Sequence, residues 1–469
     1  MPIQGYWGYP HAHGENDTYY VPALPAQELA SFVLFDLAII LAASHMVGLL
    51  FTRIGQPRVV GQILAGVLLG PTLLGSALWP HFAAPAFLHC PIQPGMLISP
   101  TMCLFPAPAR EVIGQLGQLG LLLFSFLTAV QLDRSLLHDR ILGIALVGPG
   151  SVLLPIAMGT ALGPVLATPV FKPAAASTLG FNLFVGVMLA ATALPVMVRI
   201  LQERGLFRSP VGCTGIAASA VATVGLFVAA SIASSVATTA GAIGAWRALG
   251  LGAGYLGLML LVIRPLLGRV TMRPRAGLDA RGASRFVLVL VLLLVSGLAA
   301  HLTGLTVTVG GFLAGLILPA ETALHCALEQ RLGELTRSVL LPIFLAFSGL
   351  QTDLTAVPVA AYSGLVLLLA CGMASKWGGG AVLARLSGLS WAEGNVLGIL
   401  MNCPGVIVLV VALIGLQNGV ITPALQAGVA LAALIATAMT GPLLDASLRR
   451  LPATSLLPAP PVAVRRLLP

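Results

Sequence analysis

The sequence predicts an all-α polytopic membrane protein of about 13 transmembrane helices, arranged as inverted six-helix repeats with two broken helices crossing at mid-membrane. Three observations carry this. Hydrophobic residues make up 58% of the 469 and charged residues only 8%, against roughly a quarter charged in an ordinary soluble domain. Apolar stretches long enough to cross a bilayer recur along the whole chain, and two of them are interrupted by proline at corresponding places.

A spanning helix needs about 20 mostly apolar residues, because hydrocarbon offers no partner to an unpaired backbone group. Such stretches fall near 30–51, 58–76, 112–132, 141–168, 178–200, 211–235, 247–268, 286–302, 304–320, 336–351, 357–384, 393–416 and 422–446. The polar start, residues 1–29, holds no Lys or Arg and reads as an external tail rather than a signal peptide. His11 and His13 within it are expected to be solvated. Residues 447–469 form a short Pro- and Arg-rich cytoplasmic tail.

The net charge of +9 reflects orientation rather than a nucleic-acid partner. With the N-terminus outside, 20 of the 24 basic residues fall in cytoplasmic loops, the longest run being Arg264, Arg269, Arg273, Arg275, Arg281 and Arg285. Three, Arg110, Lys172 and Arg247, fall outside, and Lys376 lies within a helix. Basic residues in short loops stay on the cytoplasmic side, so the expected home is a bacterial cytoplasmic membrane, N-terminus outside and C-terminus inside. Cys90 and Cys103 share one external loop, where a disulfide can form. Cys213, Cys326, Cys371 and Cys403 are expected to pack as small apolar residues.

The fifth stretch carries Ala191-Thr192-Ala193-Leu194-Pro195 and the twelfth Asn402-Cys403-Pro404-Gly405 near their middles. They stand second from last in two six-helix halves. Interrupted helices in matching positions point to the binding site of an inverted-repeat transporter, because unwound backbone is tolerated only where it faces protein or a cavity.

Several motifs resemble those of the monovalent cation:proton antiporter superfamily, in the branch of bacterial glutathione-gated potassium efflux systems and plant cation/proton exchangers. The run from Arg53-Ile54-Gly55-Gln56-Pro57 to Leu69-Gly70-Pro71 is similar to its second-helix signature. Thr192 to Leu201 resembles its fifth-helix motif, Leu341 to Leu354 its tenth, and Leu400-Met401-Asn402 the start of its twelfth. The resemblance implies a dimerisation part (30–132 and 286–351), a core part (141–235 and 357–446), a linker helix (247–268), elevator-like alternating access and a homodimer in the lipid bilayer.

The chain departs from the family's pattern at its acids. Antiporters of this branch hold a cation or proton on a buried Asp of the sixth helix; here Ala222 and Thr223 stand at that pair. The second-helix Glu is Gln62, the third-helix acid is Gln131, the twelfth helix reads Cys403-Pro404-Gly405, and the Glu after it is Val408. Lys376 matches a basic position that the resemblance pairs with the buried Asp or sets against the broken helices. The ionisable groups inside spans are Lys376, Asp36 and His45, the candidates for any chemical role; Asp36 reads as an interface residue of the dimerisation half. His301 falls at a helix end. Candidate substrate or ion ligands are Thr192, Pro195, Ser219, Thr223, Lys376, Asn402 and Cys403, with Asn182 a further polar candidate. Neither a metal-ligating cluster nor a nucleophile–base pair at defined spacing is present, and the resemblance implies no cofactor.

Two functions are consistent with these residues. One is a sodium or potassium:proton antiporter-like secondary transporter with a degenerate ion site. The other is the same scaffold repurposed to bind, export or enzymatically convert a hydrophobic organic metabolite. Whether the chain is an enzyme stays open at this point.

Overall fold

The computed structural model describes residues 26–74, 101, 104–131, 140–237, 241–271, 279–303, 305–319, 322–405 and 407–450. His11, His13, Cys90, Cys103 and most of both tails lie outside the described residues.

Every regular element among the described residues is helical. In chain order they are α1 (Ala26–Arg53), α2 (Arg58–Leu69), α3 (Ala107–Val130), α4 (Ile141–Leu166), α5 (Thr178–Ala190), α6 (Leu194–Glu203) and α7 (Pro210–Ala237). Then α8 (Gly241–Gly257) runs through a π-helical turn (Leu258–Ile263) into α9 (Arg264–Thr271). Next come α10 (Asp279–Leu302), α11 (Val307–Ile317) and α12 (Thr322–Leu335), which passes through a π turn (Thr336–Leu340) into α13 (Leu341–Leu350). Another π turn (Ala374–Gly378) joins α14 (Tyr362–Met373) to α15 (Gly379–Leu386); α16 (Trp391–Met401), α17 (Ile407–Gln417) and α18 (Pro423–Leu448) follow.

Ten helical stretches among the described residues are long and apolar enough to cross a membrane, and three shorter apolar helices accompany them. The protein is a multi-pass membrane protein. Several boundaries differ from expectation, and two of them carry a physical reason. Helix α1 begins at Ala26, inside the residues assigned to the tail, where Glu28 in its first turn complements the positive end of the helix dipole. The tenth stretch, expected from 336, starts at Thr322. Its charged residues hide it from a hydropathy reading, yet Glu329 accepts hydrogen bonds from both Gln131 and Arg337.

Between membrane helices there is little hydrophobic driving force, so small residues that let backbones touch decide the packing. Helices α4 and α5 meet at Gly159 and Gly186: a Cβ on Gly159 would sit 2.5 Å from the Gly186 Cα. Gly66 and Gly349 play the same part between α2 and α13, where a Cβ on either would collide with the opposing main-chain carbonyl. One buried cluster joins α1, α3 and α13 through Ile40, Phe105, Ile113, Ile343 and Leu350. The largest takes in α4 to α7 and α14 to α18, enclosing both helix breaks, and extends to residues of α2, α3, α11 and α13.

Charged residues tie the helix ends. Arg140 pairs with Glu393 at 3.2 Å, and Arg204 holds Asp445 through two nitrogens at 2.6 and 3.0 Å. Ser390 and Glu393 cap α16 reciprocally, satisfying amides that the first turn leaves without helical partners.

Candidate functional site

The two interrupted helices meet at their breaks. Helix α5 ends at Ala190 and α6 begins at Leu194, with Pro195 in the first turn, where its missing N–H costs nothing. Helix α16 ends at Met401 and α17 begins at Ile407. The Ala193 amide donates to the Cys403 carbonyl at 2.8 Å, and the Thr192 hydroxyl donates to the Met401 carbonyl at 3.1 Å. Each unwound segment therefore finds partners in the other, which is what makes unwinding tolerable in an apolar interior.

Gly405 turns the second break with φ +49°, in the left-handed region where glycine is favoured. It also permits the contact: a Cβ there would come within 2.5 Å of the Ala193 Cβ and 2.7 Å of the Val196 Cγ2. The Gly405 amide donates to the Thr437 hydroxyl at 3.3 Å. The Thr440 hydroxyl, whose shorter bond at 2.9 Å goes to Ala436, also points at the Asn402 carbonyl at 3.5 Å. Sequence reasoning missed Thr437 and Thr440. The available signal was their spacing of three, which puts both hydroxyls on one face of α18.

Lys376 lies in the π turn between α14 and α15 and is 2% exposed. Its Nζ donates to the carbonyl of Ala191, the first residue past the end of α5. A helix C-terminus carries partial negative charge on carbonyls without helical partners, so the ammonium group complements that end. The π turn has a local use: one extra residue in the turn changes which side chain faces inward, a common device at functional sites. A space of about 40 Å³ beside Lys376 is bordered by Asn402, Pro404 and Val408.

Thr192, Pro195, Lys376, Asn402 and Cys403 thus gather at the crossing, all buried. Ser219 and Thr223 stand one turn apart on α7; the Thr223 hydroxyl donates to the Ser219 carbonyl at 2.7 Å rather than to the crossing, and the Ser219 hydroxyl has no hydrogen-bond partner. Asn182 is half-buried on α5, set against α4 where a Cβ on Gly163 would come within 2.6 Å of its side-chain Cγ. His301 is exposed at the end of α10.

Two expectations need correction. Asp36 is fully buried within the single chain, between the Phe32 and Ile40 turns of α1, so it offers no surface for an interface between copies. Its carboxylate oxygens have no hydrogen-bond partner, and the charge acting on it is the Arg110 guanidinium of α3. His45, two and a half turns on, points out of the fold and shares nothing with Asp36 or the crossing. Among the cysteines, Cys213 and Cys403 are buried as expected, but Cys326 is exposed.

A large cavity of about 610 Å³ lies between α4, α7 and α11, with Leu194 and Thr223 on its wall. Of the side chains lining it, only Thr223 and Thr308 carry a polar atom, and none is charged. The crossing and the cavity are neighbours through Leu194, the first residue of α6.

The family model for the transmembrane part of sodium/hydrogen exchangers matches residues 39–448. The chain is 29% identical to the Na(+)/H(+) antiporter NhaS4 of Synechocystis over 88% of this chain and 96% of that protein. It is 32% identical to Cation/H(+) antiporter 20 of Arabidopsis thaliana and 27% identical to K(+)/H(+) antiporter 1 of Saccharomyces cerevisiae, over 86% and 87% of this chain. Those matches take in 47% and 46% of the plant and yeast proteins, so the chain spans about half their length. Its fold is similar to that of the sodium proton antiporter MjNhaP1 of Methanocaldococcus jannaschii, with TM-score 0.64 at 15% identity, covering 93% of this chain and 99% of that one.

Proposed function

The chain belongs to the sodium/hydrogen exchanger family, and within it we propose a secondary transporter that exchanges a monovalent cation for protons across a bacterial cytoplasmic membrane. The observation that carries the reading is the crossing of α5–α6 with α16–α17, at which Lys376 donates to the exposed Ala191 carbonyl.

The chemistry must run without the carboxylate that this fold's resemblance led us to expect. The groups at hand are main-chain carbonyls of Ala191 and Asn402, the hydroxyls of Thr192, Thr437 and Thr440, and the Asn402 amide. Oxygen ligands of this kind suit a hard cation. Protonated Lys376 and a cation compete for the same Ala191 carbonyl and repel one another at that distance. Binding a cation therefore expels the proton from Lys376, and reprotonation expels the cation. Exchange follows from mutual exclusion if the crossing then faces the other side of the membrane.

For that motion we propose that residues 141–235 and 357–446 move against a scaffold of residues 30–132 and 286–351, with 247–268 as the link, the scaffold pairing two copies as a homodimer. The N-terminus is assigned outside and the C-terminus inside, on the asymmetry of 20 basic residues against three. The close glycine contacts within each group support two rigid bodies.

The experiment uses everted vesicles carrying the full chain, energised to an internal acid pH and pulsed with Na⁺, K⁺ or Li⁺. Dissipation of the gradient above a vector control by at least one cation is the expected result. No dissipation by any of the three overturns the reading. It would leave the second one, handling of a hydrophobic molecule, whose support is the uncharged lining of the 610 Å³ cavity.

A further inference from the structure

We propose that the cavity between α4, α7 and α11 is a binding site for one acyl chain of a bilayer phospholipid, which enters sideways from the membrane. The first argument is chemical. A space of about 610 Å³ falls in the range of sites that take sizeable ligands, about 300–1,000 Å³. Its only polar side-chain atoms are two threonine hydroxyls, and that of Thr223 is already committed to the Ser219 carbonyl. Water in such a place finds too few of the two to four partners it needs. Hydrated ions fare worse, since no charged group lines the wall. Hydrocarbon fits the lining.

The second argument is depth. The mouth is formed by Pro149, Leu153 and Val221, all exposed. Leu153 is the thirteenth of the 26 residues of α4, and Val221 the twelfth of the 28 of α7. At 1.5 Å per residue Leu153 lies about 18–20 Å from either end of its helix and Val221 about 17 Å from the start of its own, near the middle of a hydrocarbon core about 30 Å thick. What faces the mouth at that depth is the acyl tails of lipids. Headgroups cannot reach it without carrying charge into the membrane centre, and this decides between a tail and a headgroup as the bound part.

The third argument is position. The inner end of the cavity is walled by Leu194 and Thr223, and its far side by Val309, Phe312 and Leu313 of α11. A chain lying there touches the first residue of α6 at the crossing and, across from it, a helix of the other group. It contacts both bodies whose relative movement exchange requires, so its presence sets how far they approach.

The test is photo-crosslinking of the purified full chain in lipid nanodiscs. One probe is a phosphatidylglycerol with a diazirine at the acyl terminus; the other carries the diazirine on the headgroup. The acyl probe is expected to label the segment 221–228 of α7 and Leu313 of α11. The headgroup probe is expected to leave those residues unlabelled. Gly225→Leu and Ala229→Phe fill the cavity from α7, and Gly225 has room because a Cβ there would lie 3.6 Å from Val152. Each is expected to cut cavity labelling about tenfold while labelling at Val291 and Val295, exposed on α10, stays unchanged. The unchanged α10 labelling also reports that a variant is folded and embedded.

Equal cavity labelling in both filled variants overturns the proposal, as does labelling of residues 221–228 by the headgroup probe. Recovery of a stoichiometric non-lipid molecule from the purified protein by mass spectrometry overturns the acyl-chain assignment in favour of a dissolved metabolite. No cation or pH gradient enters the measurement, so its failure is distinct from failure of the transport reading.

Discussion

Replacing Lys376 by Arg and by Met separates the two things its ammonium group can do. Both variants keep an unbranched stem in a site that excludes solvent. Lys376→Met removes the donor to the Ala191 carbonyl, leaving a buried acceptor without its partner, at a cost of about 1–3 kcal/mol. Against that, it removes a buried charge, which recovers several kcal/mol. Net stability is therefore expected to stay within about 2 kcal/mol of the parent, a shift of a few degrees in a detergent melting curve. Lys376→Arg keeps the donor, and the neighbouring space of about 40 Å³ takes part of the larger head. The guanidinium, however, does not release its proton under any working condition. If Lys376 carries the proton, both variants lose exchange in everted vesicles, by about a hundredfold or more, although Arg retains the structural contact. Full exchange by Lys376→Arg refutes the carrier role and leaves the lysine as a cap on the Ala191 carbonyl. Full exchange by Lys376→Met refutes both.

Gly405→Ala forces a Cβ into the Ala193 and Val196 side chains at a left-handed φ, so thermal stability in detergent should fall by about 2–4 kcal/mol and exchange should be lost with it. Thr192→Val deletes the donor to Met401 without changing shape; a loss of about 1–2 kcal/mol is expected, read as a weaker apparent cation affinity with the chain still folded. Arg204→Ala breaks a pair whose Asp445 partner is 46% exposed, so melting should move by no more than about 1 kcal/mol. Ala222→Asn combined with Thr223→Asp restores the acidic pair that the resemblance implies, and should raise cation-dependent dissipation above the parent. A double variant that folds but gains nothing shows that the missing acid is not what limits exchange.

Much of the scaffold was legible because its cause is local: hydrocarbon demands long apolar helices. The two breaks were legible for the same reason, since a proline flanked by small polar residues inside an apolar run is a conflict, resolved here by pairing one break with the other. The start of α12 was not, because Glu329, Arg331, Glu334 and Arg337 look like loop until Gln131 and Arg337 are seen to meet Glu329. Asp36 was misread for a related reason. Hydropathy places a residue along a span but not around it, and the face that α1 turns to α3 is decided by partners such as Phe105 and Ile113, far along the chain. Thr437 and Thr440 were hidden by their ordinariness, because a threonine in a membrane helix usually bonds its own backbone. Both do that here, to Ala433 and Ala436, while also serving the second break.

The neutral residues at the antiporter positions and the apolar cavity are linked through one side chain. Thr223 stands where the resemblance puts the buried Asp, and in this fold it borders hydrocarbon-like space rather than the hydrogen bonds of the crossing. A carboxylate at that place would need water or a counter-charge close by, because an isolated ion in an apolar wall is costly. The cavity lining supplies neither: beyond Thr223, its one polar atom is on Thr308. An Asp at 223 is therefore costly in this lining unless water enters with it. With the Thr223 hydroxyl turned to the Ser219 carbonyl, Lys376, Thr192 and the carbonyls of the two breaks are the polar groups at the crossing. The cost of an acid at 223 is why the Thr223→Asp variant is informative: it gains exchange only if the bilayer-facing cavity admits water once an acid is present.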